Sequence, residues 1–189
     1  MSNQLYDWFG LNESLFRYFN SVHGPVLDQL AVLITLLGHP RLFPFYLAIV
    51  LVVKWIRPTA MALRNIVVFA ISYALSSALI VPILKAVVDL PRPLTALGAG
   101  AVAVLGSPDG MHSFPSGHAA FAVLMAASLV PGLPRWGQAA LITYATLVCL
   151  SRVVVGAHFP ADVVAGAAIS IIVVSCARYA TGLSKNRRK

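Results

Sequence analysis

The stretch ALRNIVVFAISYALSSALIVPILKAVV, Ala62–Val88, holds only two charges, Arg64 near its start and Lys85 near its end. A helix needs roughly 20 predominantly apolar residues to cross the hydrocarbon core of a bilayer. This run meets that requirement, and it sets the class of the whole chain. Gln138–Val155 and Pro160–Ala180 are runs of the same kind, with Arg152 in the last turn of one and Asp162 in the first turn of the other. Leu42–Ile56 and Gly117–Val130 are shorter, the latter bounded by Pro115 and Pro131. Pro25–Leu37 carries Asp28 and Gln29 and reads as a short or tilted first span. The expectation is an all-α integral membrane bundle of six transmembrane helices over residues 25–181.

Composition supports this class. Of 189 residues, 59% are hydrophobic and 11% are charged, against about 25% charged in soluble domains. The mean hydropathy is +0.82. The net charge of +8 does not point to nucleic acid, because the basic residues lie between apolar runs and form no stripe. Cys149 and Cys176 sit inside apolar runs and read as packing residues. No cleavable signal is evident, since the first residues lack a positive stretch followed by an apolar core.

Residues 1–24 differ from the rest. Aromatic and aliphatic side chains such as Tyr6, Trp8, Phe9, Phe16 and Tyr18 alternate with Asp7, Glu13 and Arg17. That pattern suits an amphipathic segment at the membrane–water interface, and Gly24-Pro25 separates it from the first span. Residues 182–189 form a basic tail. With six spans both termini share one face, which collects Arg17, Lys54, Arg57, Arg64, Arg135, Arg178 and the tail. The positive-inside rule makes that face cytoplasmic. The other face then holds Arg41, Lys85, Arg92 and Arg152, and is periplasmic or extracellular in the cell (inner or plasma) membrane.

Three short motifs fall on that external face. Lys85 is followed by Pro91-Arg92-Pro93, Pro115-Ser116-Gly117-His118 opens an apolar run, and Ser151-Arg152 precedes His158 and Asp162. Arg grips phosphate oxygens with a planar fork, and Lys adds a point charge. Lys85 also fits simple snorkelling to the interface, and Arg92 a surface loop. Ser116 is a good N-cap, so the first amides of its helix point at an anion. Gly117 permits close approach to the backbone, and His118 suits a general acid, although a capped helix with an incidental histidine fits the same residues. Asp162, four residues beyond His158, is placed to accept an imidazole N–H and to fix its tautomer. A purely structural Asp–His bond at a helix start fits the same spacing. His112 reads as a loop residue near the second motif, and His23 and His39 are assigned no role. Asp28 reads as a helix-packing acid, and Asp89 and Asp109 as loop acids, Asp89 within reach of Arg92. No spacing suits a zinc or magnesium site, so no metal and no cofactor are expected.

The three motifs match K-x6-RP, PSGH and SR-x5-H-x3-D in order and spacing, and on them the chain resembles the type-2 phosphatidic acid phosphatase superfamily of membrane lipid phosphatases. The resemblance implies His158 as the nucleophile that forms a phosphohistidine. It implies Asp162 as its orienting carboxylate and His118 as the acid that protonates the leaving oxygen. Lys85, Arg92, Ser116, Gly117 and Arg152 would bind the phosphate. The implied enzyme is a metal-independent phosphoric monoester or diphosphate hydrolase. Its partner is a membrane lipid phosphate that enters sideways from the outer leaflet. Undecaprenyl diphosphate, phosphatidylglycerophosphate, phosphatidic acid and lipid A phosphates all fit, and the short loops favour the first or a simple phospholipid. The same phosphohistidine would also serve a lipid phosphotransferase, and a non-enzymatic anion-holding membrane protein is the remaining alternative. Oligomeric state is not fixed by the sequence.

Overall fold

A computed structural model describes residues 4–106 and 111–186. Asp109 and the tail residues Arg187, Arg188 and Lys189 lie outside the described residues. Those that are described form helices joined by loops, with no strand among them.

The long apolar run of residues 62–88 is one bent rod. It comprises α5 (Leu63–Ser72), a π-helical stretch over Tyr73–Ile80 and α6 (Val81–Val88). Pro82 has no backbone N–H to give the preceding turn, and the helix upstream of it widens from i→i−4 to i→i−5 bonding. Two further helices, α9 (Arg135–Val154) and α10 (Pro160–Asn186), complete the set long and apolar enough to cross a membrane. The backbone of α10 continues as helix to Asn186, into the region expected as tail.

Inside these lies α8 (Gly117–Leu129), too short at about 20 Å to cover a full hydrocarbon core. It is apolar all round, as a fully enclosed helix is. Phe121, Leu124 and Met125 pack with Ile66, Val68 and Phe69 of α5 and Val174 of α10. Ser170 of α10 donates to Ala120 O at 2.7 Å and meets Ser76 Oγ at 3.1 Å. Small and hydroxylated residues let helices approach closely where lipid removes the hydrophobic drive to associate. Gly166 shows how close: a Cβ there would meet Ser116 O at 2.5 Å. Gly166→Ala therefore overpacks the α8–α10 seam, at about 1–3 kcal/mol. The thermal midpoint in detergent should fall by several degrees, and an unchanged midpoint would show that the seam has slack.

The first two expected spans are arms of one bent segment. α3 (Pro25–Leu37) and α4 (Phe43–Ile56) meet at 53° across a short break. A Cβ on Gly38 at that break would lie 2.3 Å from Val148 Cγ1, so the glycine lets the elbow press against α9. α3 descends along α9, with Ala31 packed on Val155 and Ala157 and Tyr144 donating to Leu37 O at 3.0 Å. α4 continues downward, with Phe43 stacked on Tyr73 and Lys54 donating to Met61 O at 2.8 Å. At that lower end Arg64 donates to Arg178 O, and Arg178 to Ser128 O at 2.6 Å.

The N-terminal segment departs from expectation. α1 (Gln4–Asp7) and α2 (Leu11–Asn20) are joined by a tight turn at Trp8–Gly10. They lie at the motif-bearing end, opposite Arg64 and Arg178, and not on the other face. The inner stripe of α2 is Asn12, Phe16 and Asn20, all buried. Asn12 Oδ1 accepts from Ala161 N at 2.9 Å, and Asn20 Nδ2 donates to Ala103 O at 2.8 Å and Val154 O at 2.9 Å. Phe9, Leu11 and Tyr18 face outward. The polar groups that look inward satisfy backbone groups at the end of α9, the start of α10 and the loop at Ala103 that would otherwise be buried unpaired.

Candidate active site

His158 stands on the loop between α9 and α10 and is 2% exposed. The loop is closed on the end of α9 by Ala157 N and His158 N, which donate to Arg152 O at 3.1 and 3.2 Å. Gly156 turns the chain at φ +73°, and a Cβ there would meet Ala103 O at 2.4 Å. Only glycine suits that position. Pro160 then starts α10, which puts Asp162 in its first turn.

Asp162 is fully buried and collects four donors. Oδ2 accepts from Ser113 Oγ at 2.5 Å, Phe159 N at 3.0 Å and His158 Nδ1 at 3.3 Å. Oδ1 accepts from Tyr6 Oη at 2.7 Å. Four convergent donors suit a carboxylate, which has two oxygens and no proton to give. The bond through Nδ1 fixes the His158 tautomer and leaves Nε2 with the lone pair. Burial holds the imidazole below the ordinary histidine pKa, against the opposing pull of Asp162. The ring is neutral at neutral pH.

The second motif is tied to the third through the backbone, since Ser116 N donates to Asp162 O at 3.0 Å. Ser116 caps α8, its side chain accepting from Ala119 N at 3.5 Å. Gly117 has room for a methyl, its nearest neighbour being Val81 Cγ1 at 3.8 Å. His118, in the first turn of α8, lies within electrostatic reach of Arg152, Arg92 and His158. Its ring meets that of His39 edge to face at 5.0 Å.

The cations surround this group. Arg152 is 7% exposed, and its Nη1 donates to Thr35 Oγ1. Its Nε is buried with no hydrogen-bond partner. No carboxylate among the described residues pairs with it. Arg92 donates from Nη1 to Ala157 O and from Nε to Met111 O, both at 3.1 Å. Lys85 donates to His112 O at 2.5 Å, and so holds the strand of chain that carries Ser113. A cavity of about 370 Å³ opens between Pro82, Lys85, Ala86, Arg92 and His112. The structure thus gathers all eight candidate residues at one end of the bundle. Among the described residues no three His, Cys, Asp or Glu side chains converge as a metal cluster would.

Four neighbours were not legible as site residues. Tyr6, Thr35, His39 and Ser113 belong to no motif, and each reaches the site across a long sequence separation. Away from the site, Asp28 Oδ1 lies 2.8 Å from His23 Nδ1, and at the rim of the Lys85–Arg92 cavity Asp89 Oδ1 lies 2.8 Å from His112 Nδ1.

Residues 65–184 match the model of the PAP2 superfamily. The chain belongs to that superfamily. This PAP2 protein is 30% identical over 157 residues to an undecaprenyl-diphosphatase of Sulfolobus acidocaldarius, covering 83% of this chain and 72% of the relative. The crystal structure of Aquifex aeolicus LpxE superposes with a TM-score of 0.76 at 29% identity, over 88% of this chain and 94% of that one. A transmembrane PAP2-type phosphatidylglycerolphosphate phosphatase from Bacillus subtilis shares the fold, with a TM-score of 0.69 at 24% identity, over 94% of this chain and 86% of that one.

Proposed function

We propose that this PAP2 protein is an integral membrane phosphatase that hydrolyses a lipid phosphate or diphosphate through a phosphohistidine. The observation that carries the reading is Arg152. A guanidinium buried beside two histidines, with an unpartnered Nε and no counter-ion among the described residues, is costly unless an anion completes it. A phosphoryl group is that anion.

In this reading Arg152, Arg92 and Lys85 bind the phosphoryl oxygens, and the capped start of α8 at Ser116 and Gly117 adds backbone amides. His158 Nε2 attacks phosphorus as the bond to the leaving oxygen breaks, and His118 protonates that oxygen. Asp162 stabilises the imidazolium character that develops on His158. Water, deprotonated by His118, then attacks the phosphohistidine, releases inorganic phosphate and restores neutral His158. Three cations neutralise the phosphoryl charge, so the scheme invokes no divalent ion.

The relatives support a lipid substrate, and among these we favour undecaprenyl diphosphate or a simple phospholipid. In this reading the elbow of α3 and α4, α5 with α6, α9 and α10 cross the membrane, and the short α8, enclosed by them, carries the chain back from the site end to the opposite end. The N-terminal segment then lies on the site face. The opposite face still holds Lys54, Arg57, Arg64, Arg135 and Arg178, which by the positive-inside rule makes the site external.

The test is a substrate panel on purified protein in detergent, comparing prenyl diphosphates, glycerophospholipids and lipid A in excess EDTA. Phosphate release from at least one class is expected. Transfer to a lipid hydroxyl in place of release would make the protein a phosphotransferase. Activity restored only by added divalent ions would overturn the metal-free scheme.

A further inference from the structure

The N-terminal segment is clamped to the loop that carries His158. Asn12 holds Ala161 N, Asn20 holds Val154 O, and Phe16 packs against Phe159 with ring centroids 5.1 Å apart. At the end of this clamp Tyr6 lies edge-on to Phe114 and Phe159, with centroids 6.1 and 6.2 Å away. Its hydroxyl reaches Asp162 Oδ1 at 2.7 Å. The Ser113, Phe159 and His158 donors all use Oδ2, so Tyr6 is the partner given to the other oxygen among the described residues.

We propose that Tyr6 is a positioning residue for the reaction: its hydroxyl locks the Asp162 carboxylate and, through it, sets the orientation and basicity of His158. The inference rests on the assignment of His158 as nucleophile. A carboxylate pinned on one oxygen only is free to rock about its Cβ–Cγ bond, which would carry Oδ2 away from His158 Nδ1. A second donor also draws charge from the carboxylate and weakens its pull on the imidazole proton. Burial, followed by the nearby Asp162 charge, raises the Tyr6 phenol above its ordinary pKa. It therefore stays a donor across the working pH range.

The groups that face His158 are Asp162 from α10, Ser113 from the preceding loop, Arg152 from α9, Arg92 from the loop before α7 (Pro93–Leu97) and His118 from α8. Tyr6→Phe replaces none of these side chains and keeps the ring contacts with Phe114 and Phe159. Only the hydroxyl is lost. The expected result is a fall in kcat of about 10- to 100-fold, the rate equivalent of one hydrogen bond to a charged group. KM should stay within about twofold, because no phosphate contact is removed. The acid limb of the kcat profile should move to higher pH, since an undiluted carboxylate favours the His158 imidazolium, which cannot attack.

A merely structural role would lower the thermal midpoint and leave the acid limb in place, and that outcome overturns the proposal. So does a wild-type kcat and profile in Tyr6→Phe while His158→Ala is inactive; in that case His158 keeps its role and Tyr6 loses this one. An active His158→Ala would instead remove the nucleophile assignment itself.

Discussion

His158→Ala loses turnover, with kcat down by about 10⁴-fold or more, the scale seen when a covalent nucleophile is deleted. In the proposed scheme the loss is this large because no neighbour replaces His158 Nε2 as the attacking nitrogen. His118 lies in the first turn of α8, its ring edge to face with that of His39. His39 Nδ1 already accepts from Arg41 N at 3.1 Å. Anion binding should survive, since Arg152, Arg92 and Lys85 belong to other segments. Calorimetry with inorganic phosphate, run beside a phosphate-release assay, separates the two effects. Hydrolysis at the wild-type rate would end the phosphohistidine scheme. Loss of phosphate binding together with loss of turnover would assign His158 to binding.

Asp162→Asn lowers kcat by about 10²- to 10⁴-fold while the fold is kept. The substituted amide has one acceptor oxygen where the carboxylate has two. Its NH2 cannot face Oδ2's site, because Phe159 N–H and His158 Nδ1–H both donate there. It must therefore turn towards Tyr6, whose hydroxyl can rotate to accept. His158 keeps its tautomer but loses the negative charge that stabilises the imidazolium formed as phosphorus is attacked. Circular dichroism and the thermal midpoint check the fold, and single-turnover phosphate release checks the step. A near-normal rate would remove Asp162 from the reacting set. Tyr6→Phe added to Asp162→Asn should cost little further, because the two act through one carboxylate.

Both predictions depend on groups that come from distant parts of the chain. The Tyr6–Asp162 bond joins residues 156 apart, and Ser113–Asp162 joins residues 49 apart. Neither leaves a trace in local periodicity. The Asp162–His158 pair, at four residues, does. The same division holds for the fold. Hydropathy found the runs at 62–88, 138–155 and 160–180, because lipid selects for length and apolarity residue by residue. It also read Pro25–Leu37 and Leu42–Ile56 as separate spans, since it scores each run alone. Gly38 against Val148 joins them into one elbow, and that contact belongs to α9 as much as to α3. Packing of the N-terminal segment at the same end of the bundle as the motifs escapes the sequence for a related reason. The segment's pattern is amphipathic, but its inner stripe pairs two asparagines, matched to backbone groups of the loop at Ala103 and the start of α10, with Phe16, which packs on Phe159 and Val153.

By itself the sequence determined an α-helical membrane protein with three short polar motifs of the PAP2 superfamily, because solvent class and short-range side-chain chemistry are written in composition and spacing. Only the tertiary structure decided which end of the bundle the N-terminus occupies, that Arg152 is buried with an open donor, and that Asp162 is held on both oxygens. Those outcomes depend on which surfaces come within hydrogen-bond reach, and that distance is a property of packed helices.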